Sequence, residues 1–383
     1  MQFKKIKLKD IADINMGQSP SGSSYNNNGR GIPFLQGNKT FGFLYPTIDT
    51  WTTEPKKIGK KNSVLMSVRA PVGDLNIANK DICIGRGLCS IEMKNGNNQY
   101  LYYLLKNSIK KIKMKSTGTV FDSINRKELE NIEILAFNKS QQKKISKVLF
   151  DIDKKIELNI QTNDNLFEMS VKLFNNFLNN NKDIENVKLK ECVERINTGA
   201  DAIQRAPIVE YDTGIRCIRI GDMTNNRPYH CWGFTKMTEK DFANYQLLKN
   251  DIVITRTAVN GLTYMITDEK NVVCNNGNIR LRVNKKFNPL YIYLYTKTKE
   301  FRNYIDRINS ETSVRPNMKV EYLTDFLIKN LSLDNQNKIC QIIQPLMTKI
   351  HKNITENHTL EQMRDTLLPK LMNGEIDLDK IEI

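Results

Sequence analysis

The sequence predicts an α+β protein built twice over: two mixed α+β modules, each followed by one long helix. Three observations predict it. The opening segment IKLKDIADINMG (residues 6–17) returns as VKLKECVERINTG (residues 187–199). Two segments of about 39 residues carry a helical apolar seam and align with each other without a gap. The stretches between them alternate β-branched runs with Gly and Asn turns, and each holds one clear helix.

Length and repetition set the organisation. At 383 residues the chain exceeds what one core usually serves. The first module spans 1–138, its helix and linker 139–182, the second module 183–332, and the second helix with the C-terminal tail 333–383. Within the modules, KNSVLMSVR (61–69) matches KNDIVITR (249–256), which pairs Asn62 with Asn250 and Arg69 with Arg256. NQYLYYLLKN from Asn98 resembles NPLYIYLYTK from Asn288, and these begin the helices expected over 98–114 and 288–307. The offset between copies drifts through the modules, as similar cores with loops of different length require.

The long helices behave differently. Residues 140–178 and 334–372 keep a constant offset of 194. Ile145, Leu149, Ile152 and Ile156 map onto Ile339, Ile343, Leu346 and Ile350, with the four-three-four spacing of a helix seam. A gapless repeat suits a helix whose length matters, here roughly 58 Å at 1.5 Å per residue. Two such helices in one chain most simply pack on each other. Asn159 and Asn163 interrupt the first seam, and Asn353 and Asn357 the second. Polar seam residues fix register at some cost in stability, or else face solvent at bends. The seams end in Leu173, Phe174 and Phe177 and in Leu367, Leu368 and Leu371, either helix-pair core or docking points for partners. Pro345 has no counterpart and either kinks the second helix or marks its first turn. SQQKK and DNQNK read as the helix caps.

Charge points to a polyanion. The net charge is +16, and residues 1–182 hold 29 Lys+Arg against 16 Asp+Glu. The front half is therefore the more phosphate-attracting one. Seven scattered cysteines show no Cys-x-x-Cys spacing, so neither a zinc site nor a redox pair is signalled. No run is apolar and long enough to span a membrane, and the first residues lack a signal-peptide core.

Catalytic patterns are missing from the sequence. There is no phosphate-binding Gly-x-x-x-x-Gly-Lys-Ser/Thr loop, no dinucleotide fingerprint and no nucleophile signature. FNPLY at Phe287 lacks the second proline of an adenine-methyltransferase loop and opens a helix. His351 and His358 lie seven apart on a helix without a ligand companion, which fits a solvated face. What recurs is polar groups on turns, of the kinds that hydrogen-bond bases and phosphates. The first copy offers Gln18, Ser19, Ser21, Arg30, Gln36, Lys39, Arg69, Arg86, Thr117 and Thr119. The second offers Thr198, Arg205, Arg219, Arg256, Arg280, Arg315 and Lys319. Taken singly, each is better explained by an ordinary surface turn; as two homologous sets on a basic chain with a rigid spacer they suggest nucleic-acid reading.

The two-copy layout, with the phrases IKLKDIADINMG, NSVLMSVRAPVG and LLPKLMNGEI (367–376), resembles the specificity subunit of type I restriction-modification systems over essentially the whole chain. The resemblance implies two repeated α+β target recognition domains separated by two long antiparallel helices that form a coiled coil. It further implies a non-catalytic subunit that reads a bipartite target in double-stranded DNA. Its partners would be two modification (methyltransferase) subunits and, through them, restriction subunits that translocate and cleave DNA. S-adenosylmethionine, ATP and Mg would serve those partners, with no cofactor or metal held by this chain. The setting would be a prokaryotic cytoplasm, with no membrane partner. Recognition loops differ between members of this family, so the DNA-contact candidates rest on composition and position alone. The alternative reading is a stand-alone coiled-coil nucleic-acid-binding structural protein without sequence specificity.

Overall fold

The structure is a computed structural model and describes residues 3–116, 123–181, 184–311 and 317–378. The chain divides into two compact units, Met1–Asn159 with Glu356–Ile383, and Ile160–Thr355. The long helices run Lys139–Asn179 and Leu333–Met372, so each begins in one unit and ends in the other.

In the first unit, a four-stranded antiparallel sheet has the order Ala12–Met16, Leu88–Met93, Val64–Ser67, Leu75–Ile77. A five-stranded sheet runs Tyr25–Asn26, Trp51–Thr52, Ile32–Leu35, Ile82–Ile84, Ile58–Gly59. Its one parallel pair is Ile32–Leu35 beside Ile82–Ile84. The strand Phe3–Lys7 pairs with Glu133–Phe137, just ahead of the long helix. The second unit repeats this order strand for strand, including the single parallel pair, Arg216–Ile218 beside Val272–Cys274.

Each module completes its core with both long helices. In the first unit Tyr100, Leu101 and Leu104 of the helix Asn98–Ser116 are buried with Ile145 and Leu149 of one long helix and Leu368, Leu371 and Met372 of the other. In the second, Tyr291 and Tyr295 pack edge-on against Phe174, within a core that includes Ile339 and Ile343. Phe174 and Leu371 are therefore module core, not exposed docking points.

The helix starts repeat in detail. Asn138 caps the first through the Gln141 N–H, and Ser332 stands at the same place before the second, accepting from the Asn335 N–H. The caps thus fall two residues earlier than SQQKK and DNQNK. Gln142 and its repeat Gln336, both buried, donate back to the carbonyls of Phe137 and Leu331. The second helix continues through Pro345, well past its first turn.

The helices pair antiparallel in each unit. Asn159 Nδ2 donates to Asn357 Oδ1 at 2.8 Å in the first, and Asn353 Nδ2 to Asn163 Oδ1 at 2.8 Å in the second. Under the 194-residue offset these are the same pair with the same donor. Asn159 and Asn353 are buried. The first unit adds a buried ion pair that the second lacks: Arg364 Nη1 donates to Asp153 Oδ1 at 2.7 Å, and Tyr103 OH donates to Asp153 Oδ2 at 2.7 Å. Burial, followed by the negative charge of Asp153, pushes the Tyr103 phenol far above its usual range, so it stays a donor. Met347 and Ser170 occupy the equivalent positions in the second unit.

Two expectations change. The helix expected over 288–307 is two helices, Pro289–Tyr295 and Lys299–Glu311. The Thr298 hydroxyl ends the first by donating to the Tyr295 carbonyl and starts the second by accepting from the Phe301 N–H. The other correction concerns Arg69 and Arg256, which are not equivalent. Asn62 and Asn250 share a left-handed turn conformation, and Gly73 and Gly261 donate to Ser67 and Thr255 respectively, each pair 188 residues apart. The same step carries Arg69 to Thr257, and these two residues make matching β-bridges, to Ser123 and Asn317. Arg256 corresponds instead to Val68.

Removing Arg364 as Arg364→Met would leave the Asp153 carboxylate buried without its cation. We expect a loss of about 3–5 kcal/mol in unfolding free energy, largely recovered in the double variant Asp153→Leu/Arg364→Met. Chemical denaturation followed by circular dichroism measures both; a single variant as stable as wild type would refute the role of the pair.

Candidate nucleic-acid interface

The parallel strand pair of each module ends beside two other strands, and backbone hydrogen bonds stitch the ends together. In the first module Gln18 N–H donates to Ile84 O, Gly85 to Leu35 O, Gly87 to Gln36 O, and Val68 to Gly87 O. Gly17 N–H donates to Leu88 O. A Cβ on Gly17 would collide with the carbonyl oxygen of Gly85, so the close approach requires glycine there. Five polar positions stand on this scaffold, namely Gln18, Ser19, Gln36, Arg69 and Arg86. Ser19 Oγ donates to Gln36 Oε1 at 2.9 Å and accepts from the Arg86 N–H at 3.2 Å. That leaves the Gln36 amino group turned away from Ser19. Gln36, Arg69 and Arg86 are exposed, and their side-chain nitrogens make no hydrogen bond among the described residues.

The second module repeats the stitching. Gly199 N–H donates to Asn278 O, Ala200 to Cys274 O, and Arg256 to Gly277 O. A Cβ on Gly199 would collide with the Cys274 and Asn275 carbonyls. The five equivalent positions carry Ala200, Asp201, Arg219, Thr257 and Asn276. Backbone N–H groups, of Gln204 first and then Ile203, hold the Asp201 carboxyl below its usual range. Asn276 Nδ2 donates to Asp201 Oδ2 at 3.4 Å. Arg219 turns inward, with Nη1 donating to the carbonyls of Cys217 and Gly233 and Nη2 buried.

Of the residues singled out in the sequence, the structure gathers Gln18, Ser19, Gln36, Arg69 and Arg86 into one cluster and places Arg219 in its counterpart. Ser21, Arg30 and Lys39 are exposed on the neighbouring loops, with Ser21 bonded to Ser23 and the Arg30 backbone to Asn26. Thr198 ends a strand, and exposed Arg205 donates to Tyr245 OH. Lys319 is exposed at a helix start. Thr117, Thr119 and Arg315 lie outside the described residues. Two assignments are corrected. Arg280 is 2% exposed and donates to Asn197 Oδ1 and to the carbonyls of Gln246 and Asn244, so it braces the two sheets from within. Arg256 spends its guanidinium on Met318 O, Asn276 O and Asn317 Oδ1, tying the loop ends together. Thr257 and Asn276 escaped sequence reading, because only the strand register shows that they match Arg69 and Arg86; Asp201 follows from the repeat, two residues past Gly199 as Ser19 is past Gly17, but was not singled out.

The repeated scaffold with exchanged side chains defines a two-module protein, and sequence comparison locates the same repeat. The family model for the type I restriction modification DNA specificity domain matches residues 2–167 and again 181–362. The chain belongs to the family of type I restriction-modification specificity subunits. It is similar to two proteins of Methanocaldococcus jannaschii. One is a putative type I restriction enzyme MjaX specificity subunit, 41% identical over 45% of this chain and 44% of that protein. The other is the type I restriction enzyme MjaIX specificity subunit, 24% identical over 98% of this chain and 94% of that protein. The fold is similar to the crystal structure of a type I restriction-modification S subunit from M. genitalium, with a TM-score of 0.64, 19% identity, and coverage of 97% of this chain and 96% of that one.

Arg280→Met should destabilise the second unit by about 1–3 kcal/mol, since it strands the part-buried acceptors Asn197 Oδ1, Gln246 O and Asn244 O. Arg86→Ala, which removes no bond, should leave the melting temperature unchanged. Thermal unfolding of both variants checks the contrast, and an unaffected Arg280→Met would contradict the bracing role.

Proposed function

We propose that this chain is the DNA-reading subunit of a type I restriction-modification complex, in which each module recognises one half of a bipartite target. The observation that carries the reading is the stitched strand-end scaffold, kept twice while its outward side chains change. Such an arrangement suits two readers of one groove geometry with different base preferences. The excess of positive charge in the first half supports contact with phosphates. The helix pair then acts as a spacer for the unread gap, its asparagine pairs fixing register. On this reading the chain performs no catalysis and binds no cofactor. It positions two modification subunits, which use S-adenosylmethionine, and through them restriction subunits, which use ATP and Mg, in a prokaryotic cytoplasm.

The test is sequencing of methylated adenines in a host that carries this chain with its modification subunit. A divided motif with two unrelated halves is expected, and replacing residues 1–138 with those of another family member should change one half only. An undivided motif, or salt-sensitive binding without sequence preference, would defeat the reading.

A further inference from the structure

The two strand-end clusters occupy the same position on the same scaffold, yet their chemistry is opposite. In the first module Arg69 and Arg86 are exposed cations, each with donors and no acceptor. Ser19 engages the Gln36 oxygen and so leaves its amino group outward. In the second module the position of Arg69 holds Thr257 and that of Arg86 holds Asn276. The position of Ser19 holds Asp201, an anion whose Oδ2 receives the Asn276 amide and so presents the Asn276 carbonyl. The guanidiniums of Arg219 and Arg256 beside it are drawn onto backbone carbonyls and, for Arg256, Asn317 Oδ1. One cluster therefore offers donors and positive charge, the other acceptors and negative charge.

Base edges in the major groove sort by the same property. Guanine shows two acceptors, N7 and O6, which suit an arginine, whereas cytosine N4 and adenine N6 are amino donors, which suit a carboxylate or an amide carbonyl. Resting on the DNA-reading role proposed above, we infer that the first module takes its half-site through guanine, by Arg86 and Arg69, and that the second takes its half-site through an exocyclic amino group, by Asp201 and Asn276. The halves of the target are then distinguished by hydrogen-bond polarity at one structurally equivalent point. Gln36 is a positioning and donor residue beside Arg86, and Ser19 sets its orientation.

The experiment uses the full chain assembled with its modification subunits, as wild type, Arg86→Gln and Asp201→Asn. The methylated motif is sequenced for each. Duplexes bearing that motif are then made with 7-deazaguanine, which lacks the N7 acceptor, at each guanine in turn. Arg86→Gln should relax one half of the motif and Asp201→Asn the other. In the half governed by Arg86, one 7-deazaguanine should weaken wild-type binding by roughly 5- to 100-fold and Arg86→Gln binding by less than about twofold. The inference is overturned if the wild-type motif is bipartite but Arg86→Gln leaves both halves intact, or if no 7-deazaguanine affects wild type; the DNA-reading role then survives. An undivided wild-type motif removes that role and the inference with it. Melting temperatures equal to wild type identify any change as one of recognition.

Discussion

The helix seam is the constraint on which the rest of the structure depends. Neither module closes its core alone. The first buries its tyrosine-rich helix against the start of one long helix and the end of the other, and the second does the same with the remaining halves. A one-residue slip along either helix would withdraw Ile145 and Leu149, or Ile339 and Ile343, from the cores they complete. It would also break the part-buried Asn159–Asn357 and Asn353–Asn163 bonds, and with the first the bond that the Asn159 amide donates to Glu356. This is why the sequence repeats at a fixed 194 residues through the helices while the modules drift.

The modules respond to a different constraint. Their strand ends are joined by backbone hydrogen bonds, which do not depend on side-chain identity, with glycine at Gly17 and Gly199 where two chains approach too closely for a Cβ. The scaffold is thus held by atoms every residue has, and the outward side chains are released to vary. The bonds that hold the scaffold lie on other atoms than the Arg86 side chain, so an exchange there need not disturb the fold.

Much of this was legible in the sequence. The duplication, the two helices and the seam asparagines follow from periodicity and offset, because a helix that cannot change length leaves its repeat unbroken. The lone arginines at 69 and 256 misled, since the same residue type one step apart looks like an aligned pair. Only hydrogen-bond register separates an exposed donor from a loop brace. Arg280 misled for another reason. In NIRLRV, Ile279 and Leu281 mark the core side, and the opposite side looks solvent-facing until the second sheet, with Gln246, and the helix before it, with Asn244, are seen to cover it. The break at Thr298 turns on hydroxyl bonds that an apolar pattern does not reveal. Asp201 and its partner Asn276 lie 75 residues apart in sequence, and only folding brings them together.

The account stands or falls on which surface meets DNA. The most direct measurement is an electron cryomicroscopy structure of the complete assembly on its methylation target. The account predicts the strand-end clusters in the major groove, with Arg86 within hydrogen-bond distance of a guanine edge in one half and Asp201 or Asn276 facing an amino group in the other. Clusters turned away from the duplex, with bases met by other loops of the modules, would contradict it.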